Sequence, residues 1–349
     1  MASSVGSPNV DILIDGKEVS DNHFLSHTID CDMFQPDMAS IVLANQGDVY
    51  SGKAVGSTVE IKVKEGSIFK GEIVGLEPVY KGGEKAKILI RALNGFHKMV
   101  RKRKSVTFTD KNDQQILNQV AGGSGLKLEW QHDKSITYKH VYQHNQTDME
   151  FVRARAARMG CHVWCVGDTL HVKQPDLQSG PIAELKVDGE STDAELRSFS
   201  PRLNSSGVVN KVTVKGWNPE TKELISGDAS VTGSKLGGKT SSAGAGSHGG
   251  EETFTVDHPI WSKEEAVALA KAKLQDASLS YITGEAEVRG SGTFQLGKVV
   301  SVVANLQKAD DPFNGKYYIM GITHRHVASK GKDGGYVTIL RFARDAQGK

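Results

Sequence analysis

The run Gly233-Ser234-Lys235-Leu236-Gly237-Gly238-Lys239-Thr240 has the G-x-x-x-x-G-K-T spacing with which backbone amides and a lysine cradle phosphate. That chemistry needs a buried strand before the loop and a helix after it, so that amides and helix terminus converge on the anion. Here Ser241-Ser242-Ala243-Gly244-Ala245-Gly246 follows, and no apolar strand ending in Asp supplies a magnesium ligand. In a segment rich in Gly, Ser and Lys such matches arise by chance, so nucleotide binding is not expected. His324 and His326, near Tyr317 and Tyr318, would share one face of a strand. A catalytic zinc needs three protein ligands and an open position, and no third ligand has a suitable spacing. His140 and His144 with Cys161 meet the same objection. Both sets are expected as polar residues on a solvent or interface face.

No G-x-S-x-G elbow, H-E-x-x-H helix or cysteine nucleophile with a positioned His is present. A glycosidase needs only two carboxylates, which spacing does not reveal, so a cell-wall hydrolase is unsupported by any motif. The dense basic run Arg101-Lys102-Arg103-Lys104 lacks the interleaved aromatics that single-stranded nucleic acid uses, and a solvated or intersubunit face is expected there. Arg153, Arg155 and Arg158 are likewise expected as surface or subunit-contact charges. No catalytic, cofactor-binding or metal-binding residue is assigned, and the chain is not expected to be an enzyme.

Positioning elements can be read around these residues. Asn112 with Gln115 and Thr147 with Glu150 are capping boxes, followed by the apolar sets Ile116, Leu117, Val120 and Met149, Val152, Ala156, Met159. Gly122-Gly123 and Gly160 supply the stops. A third capping box, Ser262 with Glu265, has Trp261 placed as a hydrophobic staple and predicts a helix over 262–278. Alternating segments at 10–14, 40–43, 58–63, 71–76 and 86–91, joined by Gly-rich turns, predict a barrel or sandwich. The chain thus divides into a first β domain over 1–109, a small α/β segment over 110–180 and a second β domain over 181–349. Residues 227–250, dominated by Gly, Ser, Ala and Thr, are expected as a flexible insert in the last.

The two β regions echo each other. Gly56-Ser57-Thr58-Val59-Glu60-Ile61 precedes Phe69-Lys70-Gly71 and a strand ending in Gly75; Gly297-Lys298-Val299-Val300-Ser301-Val302 precedes Phe313-Asn314-Gly315 and a strand reaching Gly321. Each is followed by a Gly-Gly turn, Gly82-Gly83 or Gly334-Gly335, and a strand holding Arg91 or Arg341. Internal duplication is expected from this echo, with chance similarity among hairpins as the alternative.

Composition narrows the class. Lys and Arg total 43 against 41 for Asp and Glu, a formal charge of +2 that gives no global drive toward nucleic acid or an anionic membrane. Cys31, Cys161 and Cys165 are too few for a disulfide framework. Cys161 and Cys165, four apart on one strand, would lie roughly 13 Å apart, beyond disulfide reach. The start, Met1-Ala2-Ser3-Ser4-Val5-Gly6-Ser7-Pro8, carries no visible secretory signal, and no apolar run has the length of a membrane span.

The order of Tyr142, Asn145, Asp148 and Phe151, then helix, Gly160, the strand Cys161 to Cys165 and the turn Val166-Gly167-Asp168 resembles the phage late control D and VgrG-like tail baseplate hub family. Gly216-Trp217-Asn218-Pro219-Glu220-Thr221-Lys222 is similar to that family's Gly-aromatic-x-Pro-x-x-Lys turn. Phe254-Thr255-Val256-Asp257-His258-Pro259 with Ser262-Lys263-Glu264-Glu265-Ala266 is similar to its His-Pro segment and capped helix. Phe313-Asn314-Gly315-Lys316-Tyr317-Tyr318, Gly321-Ile322-Thr323-His324 and Tyr336-Val337-Thr338 resemble its closing strands.

The resemblance implies a β-rich α+β chain of two similar β-barrel domains joined by a small α/β segment, assembling as a pseudo-sixfold trimer. It implies a baseplate hub of a phage tail or contractile injection system, an adaptor between a hexameric inner tube and a trimeric spike. The implied partners are two further copies, the tail tube protein, a separate spike protein and other baseplate proteins, with no cofactor, membrane or specific nucleic acid. A separate spike is expected because the chain ends at Lys349, where many VgrG-like members continue into an oligonucleotide-binding-type domain and a needle. The implied location is the bacterial cytoplasm during synthesis and the tail or baseplate afterwards. A tail-associated cell-wall hydrolase and a nucleotide-dependent assembly factor are the competing readings.

Overall fold

The structure is a computed structural model that describes residues 10–132, 135–187, 195–256, 258–328 and 335–348. Gly334 of the second expected Gly-Gly turn, Asp257 of the His-Pro segment and the N-terminal residues 1–8 lie outside these.

Apolar side chains at alternate positions, as in Thr58–Val63 and Met38–Ala44, bury one face of each strand and build a 13-stranded sheet. One part of it runs in space Asp11–Ile14, Thr58–Val63, Gly66–Val79, Lys87–Leu93, Met38–Ala44, Phe24–Asp32. Another runs Glu184–Lys186, Val299–Val303, Gly315–Val327, Gly335–Arg344, Ile282–Arg289, Leu196–Leu203. The two strand sets have the same order and the same register. Gly75 faces Arg91 and Gly321 faces Arg341; Ser40 faces Arg91 and Glu285 faces Arg341. Both long strands shift register just before that glycine, between Ile73 and Gly75 and between Ile319 and Gly321. Both last strands shift at equivalent places, between Phe24 and Ser26 and between Leu196 and Ser198. An inserted residue kinks one strand against its partner, so a bulge at matching register is a specific feature.

The sets differ at one margin: Asp11–Ile14 is antiparallel to Thr58–Val63, whereas Glu184–Lys186 is parallel to Val299–Val303. The sequence echo is also displaced in one place. Phe69 faces Ile61 as Gly315 faces Val302, so Phe69-Lys70-Gly71 does not occupy the register of Phe313-Asn314-Gly315. Pairing is set by the whole strand, and a three-residue likeness does not bind it.

Between the sets in chain order lies a layer with its own core. It contains α1 (Asp113–Gly123), α2 (Asp148–Arg158), the antiparallel pair Arg103–Asn112 with Thr137–Thr147, and the sheet His162–Val166, Thr169–Lys173, Lys127–Gln131. Both helices begin in capping boxes, Asn112 with Gln115 and Thr147 with Glu150. Gly160, at φ 66°, takes the left-handed turn that ends α2. The buried face of α2 is Phe151, Val152, Arg155 and Ala156; Met149 and Met159 only border the core.

Residues 181–349 hold more than one strand set. Val209–Asn218, Glu223–Ser230 and Gly250–Thr255 form a separate sheet with its own core. The residues 227–250 expected as a flexible insert are folded. Lys239–Thr240 pairs with Ala346–Gln347, Thr240 caps α3 (Ser241–Ala245), and Leu236, Ser241 and Ala245 are buried. Arg344, fully buried, donates to the carbonyls of Leu236, Asn314 and Gly348. Composition gives a small residue little core of its own, but here the C-terminal strand supplies one. The helix α4 (Lys263–Leu279) packs against this separate sheet, with Ser262 capping through the Glu265 amide. The Glu265 carboxylate turns to the amide of Trp261 instead of closing the box on Ser262. Among the described residues no helix is long and apolar enough to cross a membrane.

Candidate assembly interface

The two strand sets are joined within the chain by one antiparallel ladder. Phe24–Asp32 pairs with the far half of Gly315–Val327, from Gly321 facing Asp32 to Val327 facing Ser26. The near half of that strand, up to Tyr318, pairs with Val299–Val303 instead. The bulge at Met320 is the handover point, where the strand leaves its own set and offers an edge to the other.

Side chains lock the joint on both faces. On one, Arg341 donates to Asp32 at 2.9 Å and to the Thr323 hydroxyl at 3.1 Å, and Thr323 donates to Asp30 at 2.8 Å. On the other lie His27, His324 and His326, all buried, with Tyr336 and Phe24. The rings of His27 and His326 meet edge to face at 5.5 Å, and His324 Nδ1 shares a 2.7 Å hydrogen bond with the Tyr336 hydroxyl. Burial pulls His27 down to about 3 and His324 to about 4, with the His326 and His324 charges adding to the shift at His27. The rings are therefore neutral at physiological pH and act as packing groups.

His324 and His326 are thus on one strand face, as expected, but that face is buried in the joint and not solvated. His140 and His144 are exposed while Cys161 is buried. Among the described residues no group of three His, Cys, Asp or Glu side chains converges on a metal position. The three cysteines are unpaired, and burial raises Cys161 to about 12, which leaves it a protonated, unreactive thiol at neutral pH.

The G-x-x-x-x-G-K-T run does not form a phosphate loop. It follows no buried strand, Leu236 is turned into the core, and the helix behind Thr240 is five residues long. The basic run is mostly neutralised in place: Arg101 lies 3.8 Å from Glu72, Arg103 donates to Glu150 at 3.0 Å and Lys104 to Asp148 at 2.5 Å. These contacts tie the strand Arg103–Asn112 to α2 and leave few charges for phosphate.

The arginines of α2 separate. Arg153 is exposed, but Arg155 is buried against Asp113, Nε to Oδ1 at 2.6 Å, with its guanidinium 4.5 Å from the Tyr138 ring centroid. Arg158 reaches Glu265 at 2.6 Å and so links α2 to α4. Both were expected as surface or subunit-contact charges; helical periodicity places them on the side of Val152 and Phe151, and a partner carboxylate from afar makes burial tolerable.

Where the joint meets the middle layer there is a cavity of about 470 Å³, lined in part by Cys31, Asp37, Trp164, His171 and Tyr318. Burial raises the Asp37 carboxyl to about 8, and the Asp32 amide, donating at 3.3 Å, offsets only part of that. Trp164 stacks on His171 with centroids 5.1 Å apart. The strand Phe24–Asp32, and with it His27 and Asp30, escaped sequence reading. Its alternation is interrupted by the bulge at Leu25, which moves the apolar period by one position.

A family model described as the Alg8 N-terminal domain matches residues 9–327. No curated protein matches the sequence significantly. Among solved structures, the fold is shared with a tail protein from Neisseria meningitidis MC58, at TM-score 0.73 and 16% identity over 97% of each chain. It is shared with the 43 kDa tail protein of prophage MuSo2 from Shewanella oneidensis, at TM-score 0.72 and 14% identity over 97% of this chain and 98% of that one. An E. coli component of the type VI secretion system, itself similar to T4 bacteriophage tail proteins, aligns at TM-score 0.62 and 10% identity over 95% of this chain and 76% of that one. The chain belongs to the Alg8 N-terminal domain family and has the β-rich fold of phage tail proteins.

Proposed function

We propose that this chain is a structural hub subunit of a phage tail or contractile injection baseplate, a homotrimer that joins a hexameric inner tube to a trimeric spike. The observation that carries this reading is the matched pair of strand sets, with the same order, register and bulges. Two equivalent units in each of three chains give six near-equivalent surfaces on a threefold body, which is what a sixfold tube and a threefold spike each require. The two sets are then β-barrel domains, and the layer carrying α1 and α2 is the connector that fixes one against the other. The work is adaptation of symmetry by rigid contacts, with no bond chemistry; the spike, the tube and other baseplate proteins are the partners. The protein is made in the bacterial cytoplasm and ends in the assembled particle.

Native mass spectrometry of the purified protein tests this directly. Three times the 37.7 kDa chain mass is expected. A monomer that stays monomeric at every concentration and is missing from purified particles would sink the reading.

A further inference from the structure

We infer that neighbouring copies join through two strand edges that a single chain leaves open: residues 75–81 of one copy pair antiparallel with residues 198–204 of the next. This rests on the hub reading above and adds the surface that holds the trimer together.

The argument comes from the joint already present inside the chain. Gly315–Val327 gives its near half to Val299–Val303 and its far half, from Gly321, to Phe24–Asp32. Its counterpart Gly66–Val79 gives its near half to Thr58–Val63, through Glu72, and pairs along its far half only with Lys87–Leu93. The far half therefore has one edge unpaired among the described residues. The counterpart of Phe24–Asp32 is Leu196–Leu203, which ends the sheet and pairs only with Ile282–Arg289. Each chain thus has one joint made and the two halves of a second joint unmade, on different strand sets. Open edges are ready to pair, and two complementary edges on one molecule make a head-to-tail contact between copies.

Transferring the internal register gives specific neighbours. Leu76 then faces Leu203, where Ile322 faces Cys31 in the chain; Glu77 faces Arg202, where Thr323 faces Asp30; Tyr80 faces Phe199, where His326 faces His27. Apolar meets apolar, aromatic meets aromatic, and a hydrogen-bonded polar pair is replaced by opposite charges. Leu203 and Tyr80 are exposed in the single chain, as are Glu77 and Arg202.

One position interrupts the ladder. The bonds from Ala328 N to Leu25 O and from Met33 N to Met320 O fix the alternation of the internal ladder, so His324 and Ile29 form a hydrogen-bonded pair. Their counterparts are Pro78 and Pro201, neither of which has an N–H. Each proline keeps its carbonyl but has no donor for the carbonyl that faces it, so this pair forms no backbone bond. The ladder is interrupted there, and hydrogen-bonded pairs at Leu76 with Leu203 and Tyr80 with Phe199 continue it on either side.

Glu77 and Arg202 fall in a non-hydrogen-bonded pair, with Cα atoms about 4.5 Å apart, within disulfide range. Glu77→Cys combined with Arg202→Cys should give disulfide-linked dimers and trimers on mild oxidation. A mixture of the two single variants should give linked dimers, and either single variant alone should stay unlinked. Glu77→Arg or Arg202→Glu should each weaken association roughly three- to tenfold, and the two together should restore it. Melting curves that match the unaltered protein show that the variants fold. Trimers that form without these links and ignore both charge reversals overturn the inference and leave the hub reading standing. A single-cysteine variant that links to itself overturns it too, since the contact would then be symmetric. Absence of any trimer removes both.

Discussion

His27 is a packing residue made from a titratable one. It is 1% exposed, among Phe24, His326 and Tyr336, and its ring stays neutral to about pH 3. In the unfolded chain the same ring takes a proton near its ordinary value, about 6.5. Between these values the unfolded state binds more protons, so stability is complete above pH 6.5 and falls as the pH drops toward 4. His27 and His324 each contribute a slope of about 1.4 kcal/mol per pH unit in that window. Asp37, raised to about 8, works in the other direction, since its stabilisation is complete below its unfolded value and is lost as the pH rises toward 8. Two rings outweigh one carboxyl below pH 6.5. Urea unfolding from pH 7 to 4.5 should show the acid loss, and His27→Phe should make that limb shallower by about 1.4 kcal/mol per pH unit. An unchanged slope would remove His27 from the account. Arg155 is the second buried charge of consequence. Arg155→Met leaves Asp113 buried and unpaired and should cost about 3–5 kcal/mol in denaturant unfolding, while adding Asp113→Leu should recover most of it. If the single change costs no more than a surface substitution, the pair is solvated in solution.

At the level of elements, the segment that follows the sheet Val209–Asn218 with Glu223–Ser230 is a tie between the chain's middle and its end. Leu236 is 1% exposed and its carbonyl receives the buried Arg344 guanidinium. Leu236→Ala should cost about 2–4 kcal/mol by calorimetry, as a core truncation does; a loss under 0.5 kcal/mol is what a loose insert would give. The reading of 227–250 as flexible failed for a definable reason. Its composition cannot build a core, and the core it joins is made by residues remote in sequence, among them Tyr281, Tyr317, Leu340 and Phe342, with the Ser241 amide donating to the Asp345 carbonyl. The helix starts were legible because capping boxes close between residues three apart: Thr147 with Glu150 and Asn112 with Gln115 are both formed. The face that α2 buries was read less well. Met149 and Met159 are apolar yet only border the core, whereas Phe151 and Arg155 occupy it, the latter because Asp113 of α1 is there to receive it.

For the molecule as a whole, the decisive quantity is register. Edge strands that match in order and bulge position, with one joint made and one unmade, predict head-to-tail association between copies; on the hub reading native mass spectrometry should find trimers, and either single charge reversal at Glu77 or Arg202 should shift the equilibrium toward monomer. The amino-acid sequence by itself determined what depends on neighbours a few residues apart: the helix caps, the alternation of most strands, and the Gly56 and Gly297 turns. Only the tertiary structure decided that His27 meets His326, that Arg155 is buried, and that residues 231–248 fold on the C-terminal strand. Local signals are carried by single hydrogen bonds and rotamers near in the chain. Strand register and burial are settled by the sum of contacts over a whole sheet, in which a one-residue slip turns every side chain to the other face.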